Sequence, residues 1–201
     1  MEKRLAFYGA YHSNPTNLTI HLICVPLILW SAQVVLSNIP FPGIFGFLST
    51  YSTAPLSTVL IFNEYLVYKF SPATVLSVLF FVYYVILEPV AAVLYIPQLT
   101  FSLLTATAFA QRREHLYYAA ILHVFCWGMQ FLGHFVAEKR APALFDDLLG
   151  ALVLAPLFVH LENLFWLGYR PDLRRVLRNA ISKDVTEFRR SHKAQVARNT
   201  E

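Results

Sequence analysis

The sequence predicts an all-α fold, a polytopic helical membrane protein with about four to six hydrophobic helices in one bundle. Three observations carry that prediction. Hydrophobic residues make up 57% of the 201 residues and charged residues only 14%, against roughly 25% charged in soluble domains. Mean hydropathy is +0.50. The apolar residues fall in runs of about span length, punctuated by proline and by charged clusters, as expected for helices that must satisfy their own backbone in hydrocarbon. The formal charge of +4 is unevenly placed: Arg170, Arg174, Arg175, Arg178, Lys183, Arg189, Arg190, Lys193 and Arg198 all lie in the last thirty-two residues. Residues 1–170 therefore read as a multi-span membrane domain and 171–201 as a basic cytosolic tail beside anionic headgroups, with no nucleic-acid partner.

The elements follow in order. The first seventeen residues carry Glu2, Lys3, Arg4, Asn14 and Asn17 and no apolar core, so the first span, Leu18 to Ser37, is expected to do the targeting, with Pro26 as a kink. An uncharged linker from Asn38 to Ser57 suits the lumenal side. The next apolar stretch, Leu56 to Phe70, is marginal for crossing and is interrupted by Asn63 and Glu64; crossing and interfacial placement both fit it. Pro72 to Phe109 is broken by Glu88-Pro89 and by Pro97, which predicts two helices in a tight hairpin. After the hydrophilic Gln111–His115 connection, Leu116 to Ala137 makes another span. Asp146 and Asp147 are expected to open a last apolar segment, Leu144 to Leu167, interrupted at Pro156. The cysteines, Cys24 and Cys126, both sit inside apolar runs, which argues against a disulfide framework.

Two histidine constellations stand out. In Tyr11–His21, Asn14 followed by Pro15 is a helix start, Asn as N-cap and Pro as first helical residue. A continuous helix through His12 and His21 would put the rings on opposite faces; a chain that turns at Asn14-Pro15 folds His12 back toward His21. Asn17, one turn before His21, is placed to hydrogen-bond that ring. Farther on, His134 and Glu138 share a helix face at i and i+4, where they can bind one metal, orient one another, or mark where the helix leaves the membrane. Ionisable groups inside a bilayer are functional candidates by default. Gln130 precedes His134 by one turn. His123 lies about 16 Å from His134 along an unbroken helix, so it serves as a partner elsewhere unless Gly133 marks a break. His160 and Glu162 could complete the site from the last helix, though a helix–helix hydrogen bond is the favoured reading. His115 and His192 lie among charges and read as solvated.

The two blocks Tyr11-His12-x-Asn14-Pro15-x-Asn17-x-x-Ile20-His21-x-x-x-Val25-Pro26 and Trp127-x-x-Gln130-Phe131-x-Gly133-His134-x-x-x-Glu138-Lys139-Arg140-x-Pro142-Ala143-Leu144, with Leu154-Ala155-Pro156-Leu157-Phe158 after them, resemble the yeast-type 2-hydroxy fatty acid dioxygenase family of phytosphingosine catabolism. The resemblance implies an endoplasmic reticulum membrane enzyme. It would use Fe(II) and O2 to remove one carbon from a 2-hydroxy fatty acid, with residues 1–170 as its catalytic domain. It implies iron ligation by the histidines matching His12, His21 and His134, which would be the catalytic set. Glu138 is the candidate fourth ligand; Asn17, His123, Gln130 and His160 are candidates for support or substrate contact. The linker, Asn38 to Ser71, is longer than the family leads one to expect.

Histidine-rich sites with open coordination positions suit non-haem Fe(II), and an apolar channel between helices would hold the alkyl tail. A non-catalytic membrane scaffold or small transporter is the rival reading, separated from the enzyme by the presence of iron and by O2 consumption. A di-iron hydroxylase is disfavoured, since the chain has no HxxxH or HxxHH box. Topology is in tension. Lys3, Arg4 and the basic tail both favour the cytosol, which needs an even number of crossings, yet His12, His21 and His134 must share one leaflet. The last apolar segment is therefore expected to return without crossing.

Overall fold

The computed structural model describes residues 2–40, 59–142 and 148–199; most of the linker and the Asp146-Asp147 helix start lie outside them. The element order is α1 (Glu2–Ala10), α2 (Pro15–Ser37), β1 (Val59–Asn63), β2 (Leu66–Lys69), α3 (Pro72–Leu87), α4 (Pro89–Phe109), α5 (His115–Leu132), a π-helical segment (Gly133–Glu138), α6 (Leu148–Trp166) and α7 (Pro171–Asn199). Pro15–Ser37, Pro89–Phe109 and His115–Glu138 are long and apolar enough to cross a membrane, while α3 and Leu152–Trp166 are shorter apolar helices. The architecture is the helical membrane bundle expected from composition.

Local chemistry explains the boundaries. Thr16 N–H donates to Asn14 Oδ1 at 2.9 Å, and Pro15 opens α2, so the N-cap and the proline take the places their backbone properties favour. Glu88, at φ −151°, ends α3, and Pro89 starts α4, because a residue before proline avoids helical geometry. Pro26, Pro97 and Pro156 stay inside their helices, as membrane helices permit.

The segment left between crossing and interfacial placement has its own architecture. The described part of Leu56–Phe70 is not a helix but an antiparallel hairpin, with Val59 opposite Lys69, Leu60 opposite Tyr68 and Ile61 opposite Val67. Its β-branched and aromatic residues favour strands, and Asn63 Oδ1 accepts from Tyr65 N–H at 2.8 Å, which turns the chain where a helix would have continued.

The chain divides into two compact units, Met1–Leu22 with Met129–Glu201, and Ile23–Gly128. In the second, Val34, Ala106, Ala110 and Ala119 form an apolar centre packed by Trp30 and Phe109. Beside it Gln33 donates to Ser77 Oγ at 2.9 Å and accepts from Ser102 Oγ at 2.6 Å, so a buried amide is satisfied on both sides. The opposite faces of its helices leave Leu79, Val82, Ile86, Val93, Phe101 and Val124 exposed, a surface suited to lipid and not to water. In the first unit α1 packs against α6 and α7. Residues 171–199, expected as a basic cytosolic tail, form a helix folded against α1. Its Leu173 and Leu177 are buried, a one-sided apolar stripe at helical spacing that the arginines around it obscure in the sequence.

Candidate metal centre

The turn at Asn14-Pro15 decides the geometry of the first two histidines. His12 lies between α1 and α2, and its Nδ1–H donates to Tyr8 O at 2.7 Å. His21, two turns into α2, donates Nδ1–H to Asn17 O at 2.9 Å. Since a carbonyl can only accept, both rings carry the proton on Nδ1 and keep the Nε2 lone pair for another partner. His134 arrives from the π-helical segment, whose wider turn re-aims side chains relative to an α-helix and recurs at functional sites.

The three rings converge. His12 and His21 have centroids 4.2 Å apart, and each lies 4.9 Å from His134, with interplanar angles of 74–82°. One ligand atom from each lies within 4.8 Å of the other two, an arrangement that can hold a metal ion. All three histidines are buried. His12 Nε2 and His134 Nδ1 have no hydrogen-bond partner, and buried polar nitrogens are seldom left so. Free lone pairs directed at one point are what a metal supplies with partners, so the donor set fits the group. His12 is held well below its ordinary pKa, first by burial and then by the His21 and His134 rings, against the Tyr8 carbonyl, which raises it. It is therefore neutral, and ready to ligate, at physiological pH. Tyr8 stacks on it at 4.2 Å and 16°, and burial pushes the Tyr8 phenol up, keeping it uncharged.

Glu138, the candidate fourth ligand, is not among the three converging residues; its carboxylate is held by donors of the Ser13–Asn17 segment. One carboxylate oxygen accepts from Ser13 N–H at 3.2 Å and from the Ser13 hydroxyl; the other accepts from Asn14 N–H at 2.9 Å and Asn17 Nδ2 at 3.2 Å. Asn14 Nδ2 donates in turn to Ala137 O at 2.9 Å. The carboxylate is thus placed at the start of α2, where the helix dipole favours it, and it ties His134's segment to the segment carrying His12 and His21. Asn17 supports the site differently from expectation: its backbone carbonyl orients His21, while its side chain binds Tyr11 O at 3.0 Å and Glu138.

Gly133 permits the approach, since a Cβ there would meet Asn17 Oδ1 at 2.5 Å. Lys139 ends the π-helical segment in the left-handed region, φ 56°. Arg140 then lies 3.6 Å over the Tyr11 ring and 4.2 Å from the Phe188 ring, holding α7 to the same cluster. Arg140 stands in the second motif block, but its pairing with Tyr11 and Phe188 was not foreseen, since nothing local in sequence pairs residues so far apart.

The other candidates separate. His123 accepts from Trp127 Nε1 at 3.0 Å and donates Nδ1–H to Ser31 Oγ at 2.8 Å, so both its nitrogens are used within the Ile23–Gly128 unit, away from the metal-binding role left open for it. Gln130 is buried with Nε2 unpartnered. His160 is buried on α6 and is not among the three converging residues.

A helical membrane protein with three buried, converging imidazoles is of the class whose site could hold a metal ion. Comparison makes the family definite. The family model described as 2-hydroxy-palmitic acid dioxygenase Mpo1-like matches residues 1–166, and the chain belongs to this Mpo1-like family. It is 35% identical over 183 residues to the 2-hydroxy-palmitic acid dioxygenase MPO1 of Saccharomyces cerevisiae, covering 88% of this chain and 87% of that one. No solved structure matches.

Proposed function

We propose that the protein is an Fe(II)-dependent dioxygenase that shortens 2-hydroxy fatty acids by one carbon, acting in phytosphingosine degradation at the endoplasmic reticulum membrane. The observation that carries this reading is the His12–His21–His134 cluster, whose free nitrogens converge in a chain of the Mpo1-like family. The three imidazoles would hold the iron from one side and leave positions for a 2-hydroxy carboxylate and O2. The iron would supply the redox chemistry that no side chain here offers. The protein's part is positional. Tyr8 O and Asn17 O keep His12 and His21 in the ligating tautomer, and Glu138 holds His134 against them. Burial of the rings excludes bulk water from the reacting groups.

Purified protein should contain iron, consume O2 with 2-hydroxypalmitate and yield the fifteen-carbon acid. Chelation should stop the reaction and Fe(II) restore it. Restoration by Zn(II), which has no redox chemistry, would count against the proposal, and iron-free protein without turnover would favour a scaffold or transporter.

A further inference from the structure

A cavity of about 480 Å³ opens between α1, α6 and α7, and His12 lies in its wall. The volume falls in the range of about 300–1,000 Å³ usual for small-molecule sites. Its apolar lining comes from Phe158 and Phe165 on α6 and from Leu177, Ile181 and Val185 on α7. The α7 contribution is a single stripe at helical spacing, and α7 lies beyond the 1–166 stretch that the family model matches.

The two ends of the cavity differ. Ile181 sits over Gly9 and Phe188 is joined to Tyr11 through Arg140, so residue numbers rise together along α1 and α7. Thr186 and Arg189 therefore lie at the end of the cavity that holds His12 and Ser13. At the far end Arg174 donates to Phe165 O at 3.2 Å, and Arg174 and Arg178 act on the half-buried Glu162. One end thus combines a metal-site histidine with a cation whose fork suits a carboxylate, and the middle is apolar.

We propose that this cavity is the acyl site of the metal centre: the acid end of a long-chain 2-hydroxy acid lies toward His12 and Arg189, its alkyl chain lies along Leu177, Ile181, Phe158 and Phe165, and α7 is the outer wall. This rests on the dioxygenase reading for the identity of the acid; the cavity's affinity for the chain is testable apart from turnover. Each methylene buried is worth about fourfold in affinity.

The full-length protein in phosphatidylcholine nanodiscs is photolabelled with 2-hydroxypalmitate carrying a diazirine near its methyl end, and the adducts are mapped by mass spectrometry. Adducts on Phe158–Trp166 and on Leu173–Val185, competed by unlabelled 2-hydroxypalmitate, are expected. The metal-deficient His21→Ala protein should be labelled on the same residues at lower yield, since the contacts to the alkyl chain remain when the metal that holds the acid end is lost. Val185→Trp, checked for its helical circular dichroism, should take the space of about two methylenes and lower labelling about fifteenfold. Adducts confined to Ile23–Gly128, or labelling that unlabelled acid does not compete, would overturn the proposal, since the chain would then lie among ordinary bilayer lipid. Correct labelling of a protein that never consumes O2 would support the cavity and refute the dioxygenase reading alone.

Discussion

His12 and His134 differ from His115 and His123 in keeping a buried nitrogen without a hydrogen-bond partner. His123 spends both of its nitrogens on neighbours, and His115 binds Arg112 O at 2.6 Å and Asn38 Nδ2 at 2.9 Å. Replacing any one of the three converging histidines by Ala should abolish metal retention and turnover with membrane insertion intact, whereas His115→Ala should be silent; metal analysis and O2 uptake on the purified variants decide it. Glu138 is a different case. Glu138→Gln keeps the shape but cannot accept at the amide nitrogen, so part of the four-donor cluster loses a charge-assisted bond worth about 1.5–3 kcal/mol each. The variant should unfold earlier and bind iron about 10–100-fold more weakly, the usual effect of disturbing a supporting group. Full loss of metal in the folded protein would instead make Glu138 a ligand.

The π-helical segment is the element on which the centre depends. An α-helix continued through Gly133–Glu138 would present His134 at another angle, and the left-handed Lys139 stops the segment so that Arg140 can reach Tyr11. Gly133→Ala should therefore be costly beyond its size. Its Cβ would press on Asn17 Oδ1 and on Ile20 Cδ1, an overpacking of the order of 1–3 kcal/mol. Urea unfolding should show that loss together with weaker metal binding; an unchanged midpoint would mean that α2 and this segment are less tightly apposed. The N-cap at Asn14 and the break at Glu88-Pro89 were readable in sequence because their signals are local. The hairpin at Val59–Lys69 and the π-helical turn were not, since strand pairing and helix widening depend on neighbours distant in the chain.

For the whole molecule the centre sets the topology. α2 begins at the three histidines and His134 follows the end of α5, so the chain must cross the membrane an even number of times between them. Three long apolar helices alone would leave His134 on the wrong side. α3, with 16 residues, spans about 24 Å against a hydrocarbon core of about 30 Å, short but close enough with local thinning, and is predicted to make the fourth crossing. Asn38 donates to Ala110 O at 2.6 Å, joining the C-terminal ends of α2 and α4. Cysteines placed at Ser13 and Arg190 should label with an impermeant maleimide from one side of sealed vesicles, and a cysteine at Gln111 from the other. Labelling of Ser13 and Gln111 from the same side would remove α3 as a crossing. The basic residues of α7 predict that the side labelled at Ser13 faces the cytosol.

The sequence by itself determined the membrane class, the order of the apolar helices, the Asn14-Pro15 turn and the three candidate histidines, because composition, proline and capping act over a few residues and the two motif blocks carry a family's pattern. Only the tertiary structure decided that Glu138 braces the centre from outside, that His123 belongs to another cluster, and that the basic C-terminal segment folds as a wall against α1. Each of these turns on which groups meet across ninety or more residues of chain, such as Ser31 with His123, Ser13 with Glu138 or Gly9 with Ile181. A carboxylate one turn from a histidine looks the same in sequence whether it faces a metal or the backbone donors of another helix. Packing of the two segments makes the choice, because it supplies Glu138 with four donors that the helix carrying it does not contain.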